Sequence, residues 1–540
     1  MKKLIEIVQK PFREHFIFLI SLFVFITCPY LLLQTYVNTL HFNDILITIH
    51  CFALSYLVTL IVGLIKPDSL RKIIQCILMV VFGIDFIINV FCVLQFGYMI
   101  DGDVLMLIVG TDFNEAKEFS SSVLSTRVLL IILSIILVFL ALWRLATKKN
   151  LNLGKKMSMA AMGIAGLCIA GNIYTWDVWQ DGPIHWWSER WNDVSTYEVP
   201  DDLQTFYSHP SVTFVEDNQM PSNIILIIGE SFTRSHSSLY GYNKLTNPQL
   251  GAVRDSSLLF ALDSVDSPAS TTALSIRYML SLCSKEDEEK SDKSWYEYIS
   301  IIELMQECGY GCYWFGNQPR SSIHNGATRV YAEACDRQWF LQQEGSDNFN
   351  VRLDQILVDS SYHFANQLKP DQHSFIIYHM MGSHFKFDMR YPQEFAKFTE
   401  KDYLTEPESH RNILSIYDNS ILYNDYIVNQ IINLYKDKES LVIYLPDHGQ
   451  VMYRDPDNPD FYVHGNDNNP VSYDLGVEIP FFIYASPEFQ QKHPDIMQRI
   501  KARDSQPKRW NSDDLPYFIM DLIGVTTVSG ESIASKSILN

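Results

Sequence analysis

Positive charge is scarce in this 540-residue chain: 42 lysines and arginines stand against 62 aspartates and glutamates, a formal net charge of −20. The deficit is uneven. Residues 1–172 hold 14 basic and 10 acidic side chains, a balance of +4, so the remainder carries −20 − 4 = −24. An acidic soluble part argues against nucleic acid as a partner, because binding it rests on neutralising phosphates with Lys and Arg. Cysteine is thin as well. Of nine, Cys28, Cys51, Cys76, Cys92 and Cys168 fall in apolar stretches, where a thiol packs as a small apolar group. Only Cys283, Cys308, Cys312 and Cys335 remain for the polar part, and four cysteines allow three pairings. The Cys308-to-Cys312 spacing is not CxxC, and no histidine pair completes a zinc finger, which argues against a structural metal of that kind. Internal repeats are missing too.

Long uncharged runs, by contrast, are plentiful at the N-terminus. Five segments reach the roughly 20 residues a bilayer requires: 16–34, 45–65, 74–98, 126–147 and 157–175. The first follows Lys2, Lys3, Lys10 and Arg13 as a signal peptide would, but it lacks a small-residue cleavage site and four more spans follow, so it is expected to be retained. Lys66, Arg71 and Lys72 lie between spans two and three, and Arg144, Lys148, Lys149, Lys155 and Lys156 around spans four and five. The alternate loops are poor in base. The positive-inside rule then puts the N-terminus in the cytoplasm and everything after residue 175 outside it.

Next comes "WDVWQDGPIHWWSERW", with Trp176, Trp179, Trp186, Trp187 and Trp191. Indole rings favour the headgroup layer, so residues 176–220 are expected to form an interfacial aromatic segment and a linker. From 221 to 540 short apolar runs alternate with amphipathic stretches. The runs are 223–231, 309–318, 374–384, 441–449 and 478–486; helices are expected within 296–307, 350–368 and 417–437. Continuous apolar strands separated by helices imply an α/β domain, its sheet mostly parallel with helices on both faces.

In such sheets ligands bind beyond the carboxyl ends of the strands. Several runs deliver polar groups there. The first ends in Glu230, the 374–384 run ends near His384, "LVIYLPDHG" ends in Asp447 and His448, and His464 follows in the next loop. Singly, each has an ordinary explanation, as a helix first-turn acid, a turn or a hydrogen-bonded histidine. Together they are the carboxylates and imidazoles that zinc takes as ligands. "SPASTTALSIRYMLS" (267–281) packs hydroxyls before an amphipathic helix pattern, where backbone N–H groups favour anions such as phosphate. A hydroxyl there is either an N-cap or a nucleophile. "DPDNPD" (455–460) resembles a calcium loop, but its prolines and missing turn glycine break that pattern.

The motifs "IIGESFTRSHSSLYGYNKLTNPQL", "STTALSIRYMLS", "WFGNQPRSS", "HMMGSHFKFDMRYP", "YDNSILYNDYIV" and "LPDHGQ…YVHG", in that order, resemble the phosphoethanolamine transferases. These are inner-membrane enzymes of Gram-negative bacteria with a five-span anchor (here 1–175) and a periplasmic domain like those of sulfatases and alkaline phosphatase. The resemblance implies a zinc held by Glu230, Thr272, Asp447 and His448, with Thr272 as nucleophile; "TALS" with its helix matches the family's "TAYS" better than a frame on Thr271 does. It further implies His384 and His464 as acid and base, as substrate contacts or as ligands of a second zinc, and Asn317 and Gln318 as contacts to phosphoethanolamine. Cysteines that often flank the nucleophile helix in the family are Ser267 and Tyr278 here, a trait closer to the members that act on lipopolysaccharide core sugars.

The implied reaction is zinc-dependent transfer of phosphoethanolamine from phosphatidylethanolamine, through a phosphothreonine and with release of diacylglycerol, to lipopolysaccharide on a core sugar or lipid A. A sulfatase would need a Cys-x-Pro-x-Arg type motif, which "SPASTTALS" lacks. The other readings are a phosphoglycerol transferase of the lipoteichoic-acid-synthase type and a non-catalytic membrane sensor.

Overall fold

A computed structural model describes residues 2–36, 42–96, 99–100, 153–174, 199–215, 220–320, 326–342, 352–370, 372–456, 458–465 and 469–539, with single residues and short pieces within 130–144 and 183–188. The chain divides into two compact units, the N-terminal helices in one and Tyr197–Asn540 in the other.

In the first unit, three helices among the described residues are long and apolar enough to cross a membrane, within Phe16–Tyr36, Phe42–Gly63 and Asp68–Phe96. The third begins six residues before the expected span because Asp68 opens it, paired with Lys72 one turn on at 2.8 Å. The fifth expected span coincides with the helix Lys155–Tyr174; most of the fourth, 126–147, lies outside the described residues. Of the clustered tryptophans, Trp186 stacks on Tyr30 and Trp187 packs against Phe82, with ring centroids 5.3 and 5.2 Å apart. Trp176, Trp179 and Trp191 lie outside the described residues.

The second unit is built on two sheets. A small one joins strands β1 (Val212–Phe214), β10 (Val525–Val528) and β11 (Glu531–Ser532). Part of the expected linker is therefore structured, with β1 paired antiparallel to β10. The large sheet holds β2 (Asn223–Gly229), β3 (Leu259–Asp266), β4 (Gly311–Gly316), β5 (Arg337–Phe340), β6 (Ser374–His379), β7 (Ser440–Pro446), β8 (Glu478–Ala485) and β9 (Trp510–Asn511), in the order 5-4-6-2-7-8-3-9. The five apolar runs are β2, β4, β6, β7 and β8. Pairing is parallel from β5 through β7; β8 runs opposite to both its neighbours.

Why the central runs are apolar throughout is clear at β2. Ile224, Leu226 and Ile228 enter one core, while Ile225 and Ile227 enter another on the opposite face. A strand covered on both sides has no solvent face to fill with polar residues. One face is covered by helices such as Thr272–Met279 and Ile301–Glu307, the other by Gln355–Gln367 and the 28-residue helix Glu408–Tyr435. This last helix buries Leu414, Tyr417, Ile421, Val428 and Ile431 at helical spacing. It starts nine residues before the expected segment.

Parallel register then sets the functional edge. Gly229 pairs with Pro446, Ile228 with His379, and His379 with Gly316. Glu230 and Asp447 therefore emerge level with each other, and Met380 and Asn317 one residue behind them, at the carboxyl end of four neighbouring strands.

Candidate active site

Glu230 leaves β2 through Ser231, a non-glycine residue held at φ +56° in the left-handed region. Asp447 Oδ1 fastens this bend by accepting from Ser231 N at 3.1 Å, and Tyr417 donates to Ser231 O at 2.8 Å. Glu230 is thereby turned under the edge, 1% exposed. Ser231 Oγ donates to its Oε1 at 2.6 Å. Asp447 and His448, both fully buried, follow β7 directly.

Thr272 arrives from another element. Thr271, extended at φ −134°, ends the approach, and Thr272 is the first residue of the helix Thr272–Met279. Its hydroxyl donates to Glu230 Oε2 at 3.3 Å and stands 3.5 Å from His448 Nε2. Thr271 Oγ1, one residue earlier, is buried with no hydrogen-bond partner. Ser267 places Oγ within reach of Ser275 Oγ at 2.9 Å and of the Asp447 carbonyl, tying the helix Thr272–Met279 to the end of β7 without a disulfide. Tyr278 donates to Glu288 at 2.7 Å. Cys283, Cys308, Cys312 and Cys335 are all buried free thiols.

The four side chains face one another with the spacing of a cation's ligands. One atom each of Glu230, Asp447 and His448 lies within 4.8 Å of the others. His448 Nε2 is 3.5 Å from Glu230 Oε1 and 3.6 Å from Asp447 Oδ2. These are long for charged hydrogen bonds, yet donor atoms about 2.0–2.2 Å from a tetrahedral ion stand about 3.3–3.6 Å from each other. His448 Nδ1 lies 2.8 Å from Gly449 O, which can only accept, so Nδ1 carries a proton. The Nε2 lone pair is then available toward the carboxylates.

Electrostatics make the same demand. Burial, then the charge of Glu230, pushes the Asp447 carboxyl up to about 6. Burial opposes charge on His448, but Asp447 and Glu230 outweigh it and hold the ring up at about 9. The pocket requires positive charge. A proton on Nε2 is one supply; a divalent cation is the other, and it would engage Asp447 Oδ2 directly, which has no hydrogen-bond partner. Two carboxylates, an imidazole nitrogen and a hydroxyl form a donor set that suits zinc.

The remaining expected residues surround this corner. His464 stands beside His448, ring centroids 4.9 Å apart and nearly perpendicular. His384 is not the end of its strand: β6 stops at His379, and His384 lies five residues on, in a turn whose Ser383 N donates to Glu230 O at 3.0 Å. Asn317 and Gln318 are turned inward. Asn317 Nδ2 donates to Arg352 O at 2.9 Å and Asp354 Oδ1 at 2.8 Å, leaving its buried Oδ1 unpartnered. Gln318 Nε2 donates to Met380 O at 3.0 Å and lies 3.4 Å from Glu230 Oε2. His379 was missed by sequence reasoning. It is fully buried, both nitrogens lack partners, and burial pushes its ring down to about 4 against the pull of Asp447. Its signal was the one that revealed Asp447: a polar residue closing an apolar strand.

Comparison with known proteins agrees with this fold. The family model named Sulfatase matches residues 222–525. Over 442 residues, 76% of this chain and 74% of the relative, the sequence is 25% identical to phosphoethanolamine transferase EptC of Escherichia coli O18:K1:H7. The crystal structure of the C-terminal periplasmic domain of Escherichia coli EptC in complex with zinc superposes with a TM-score of 0.53 at 26% identity, covering 61% of this chain and 90% of that one. The integral membrane protein lipooligosaccharide phosphoethanolamine transferase A (EptA) of Neisseria meningitidis shares the fold over 95% of this chain and 96% of its own, with a TM-score of 0.67 at 17% identity. The domain match places the chain: it belongs to the sulfatase family, and the relatives it resembles over most of its length are phosphoethanolamine transferases.

Proposed function

We propose that this protein moves phosphoethanolamine from phosphatidylethanolamine to lipopolysaccharide, on a core sugar or lipid A, in two steps through a phosphothreonine at Thr272. The observation that carries the reading is the convergence of Thr272 Oγ1 with Glu230 and His448 at 3.3 and 3.5 Å, at the carboxyl edge of the sheet. Zinc bound by Glu230, Thr272, Asp447 and His448 would supply Lewis-acid stabilisation of negative charge on oxygen.

In the first step Thr272 Oγ attacks phosphorus, its proton directed toward Glu230 Oε2, and the bond from phosphorus to the diacylglycerol oxygen breaks. The departing diacylglycerol takes up a proton from His384 or His464. In the second step the acceptor oxygen attacks the phosphothreonine, gives its proton to the same histidines, and Thr272 recovers its own. Splitting the transfer in two lets each lipid occupy the site in turn. A second ion is the alternative use of His384 and His464. Five spans over residues 1–175, a cytoplasmic N-terminus, an interfacial segment over 176–220 and a catalytic domain over 221–540 on the periplasmic side of the inner membrane set this chemistry where both lipids reside.

The test uses the full chain in phospholipid vesicles. Diacylglycerol release from phosphatidylethanolamine and mass spectrometry of the peptide bearing Thr272 are expected to report turnover and the phosphoethanolamine ester. Thr272→Ala is expected to abolish both while the protein inserts and folds. Full activity in Thr272→Ala with loss in Thr271→Ala would move the nucleophile by one residue; preference for phosphatidylglycerol would turn the reading to phosphoglycerol transfer.

A further inference from the structure

Asp354 precedes the helix Gln355–Gln367, but its side chain caps none of the helix N–H groups. Its carboxylate, 5% exposed, turns instead to the sheet edge. Oδ1 accepts from Asn317 Nδ2 at 2.8 Å and from Met381 N at 2.9 Å; Oδ2 accepts from Gly382 N at 2.8 Å. Asn317 follows β4, whereas Met381 and Gly382 belong to the turn after β6 that carries His384. One carboxylate therefore ties together the ends of two neighbouring strands.

The turn it grips lies directly on the ligand-bearing bend. Gly382, at φ +48°, approaches so closely that a Cβ there would stand 2.8 Å from Glu230 N, and its positive φ adds to the cost of any side chain. On the far side of His384, the buried Arg390 donates to the carbonyls of His384 and Phe385 at 3.2 and 2.8 Å. A buried acid takes the turn's N–H groups and a buried base takes its carbonyls, with His384 between them. Burial pushes the Asp354 carboxyl above its usual range in spite of the donors from Met381, Asn317 and Gly382.

We propose that Asp354 is a positioning residue for the transfer: by holding Asn317 and the Met381–Gly382 backbone on one carboxylate, it sets His384 against the Thr272 corner. The inference rests on the transferase reading, in which His384 handles protons. Displacement of such a group by about 1 Å can cost on the order of a hundredfold in rate. Asp354→Asn keeps the shape but replaces one accepting oxygen with an NH2 group, which cannot accept from Gly382 N or Asn317 Nδ2.

The decisive experiment is a double-mutant cycle in vesicles, comparing wild type, Asp354→Asn, His384→Ala and the double variant, with diacylglycerol release and zinc content measured for each. The expected result is a loss of about tenfold to a hundredfold in kcat for Asp354→Asn, unchanged zinc content, and a double variant no slower than His384→Ala alone. Losses that multiply, or loss of zinc in Asp354→Asn, would overturn the inference; so would a crystal structure of Asp354→Asn with His384 undisplaced. If Asp354→Asn does not fold, Asp354→Glu, which keeps the charge and shifts it by one methylene, enters the same cycle with the same criteria. A wild type that releases diacylglycerol but fails the cycle removes the positioning role alone, whereas a wild type that releases none removes the transferase reading and this inference with it.

Discussion

The two ends of the central sheet carry the same residue types and put them to opposite uses. At the amino end, Glu439 stands just before β7 and is saturated with donors. Ser222 N and Oγ donate to it at 3.0 and 2.9 Å, Lys492 Nζ at 2.7 Å, and His493 Nε2 lies 2.8 Å away. Burial raises its carboxyl, but the bonds from His493, Lys492 and Ser222 outweigh that and hold it at about 2. At the carboxyl end, Glu230 and Asp447 meet His448 at 3.5 and 3.6 Å, and among the described residues no Lys or Arg pairs with either acid. An acid and a histidine at a strand end are structural when a cationic side chain completes them. They form a candidate ion site when none does.

Substitutions at the two ends should separate accordingly. The largest effect is expected from Asp447→Asn: transfer falls at least a thousandfold and zinc measured by elemental analysis is lost, on the order of the loss seen when a group essential to charge stabilisation is removed. Chelation of the wild type should match it, with zinc restoring activity. Thermal unfolding of chelated Asp447→Asn should be no lower than that of chelated wild type, because the change removes a carboxylate facing another. Unaltered activity after exhaustive chelation would erase the contrast between the ends.

Glu439→Gln should do the reverse, costing about 2 kcal/mol in denaturant unfolding through its charged hydrogen bonds while zinc content and transfer per folded molecule stay at wild-type values. The pH dependence carries the matching sign. Glu439 has a depressed folded pKa, so its contribution is present above the unfolded carboxylate value of about 4.3 and is lost as pH falls through about 2. The Tm gap between wild type and Glu439→Gln should thus be full at pH 6 and narrow steadily below pH 4; a gap that widens in acid would refute the assignment. The smallest effect is expected for Lys492→Met. Lys492 is 48% exposed and screened by solvent, so its removal should cost under about 1 kcal/mol.

Much of this was legible in the sequence because burial on both faces leaves an unmistakable trace. β2, β4, β6, β7 and β8 are the apolar runs, and a polar residue ending such a run marked Glu230, Asp447 and His448. The reversed direction of β8 left no trace, since a strand covered on both faces reads the same in either direction. Strand β3 escaped because its second half, Asp263, Ser264 and Asp266, is polar and irregularly paired with β8. The inward turn of Asn317 and the grip of Asp354 were invisible for another reason. Both depend on which backbone N–H groups a distant turn presents, and residue type alone does not encode that. Thr272 was separated from Thr271 by resemblance to relatives; the geometry distinguishes them by where the helix begins.

The pairing of β2 with β7 also has a bearing on when the candidate ion site can form. Ser231 and Asp447 are 216 positions apart, and only the parallel alignment of Gly229 with Pro446 brings their neighbourhood level. No nascent or truncated chain ending before that strand can assemble the carboxylate pair. If the corner takes the zinc proposed for it, metal uptake would report completion: a domain that retained zinc would have finished threading its central strands, and one slipped by a single residue would present Asp447 to the wrong side and hold none.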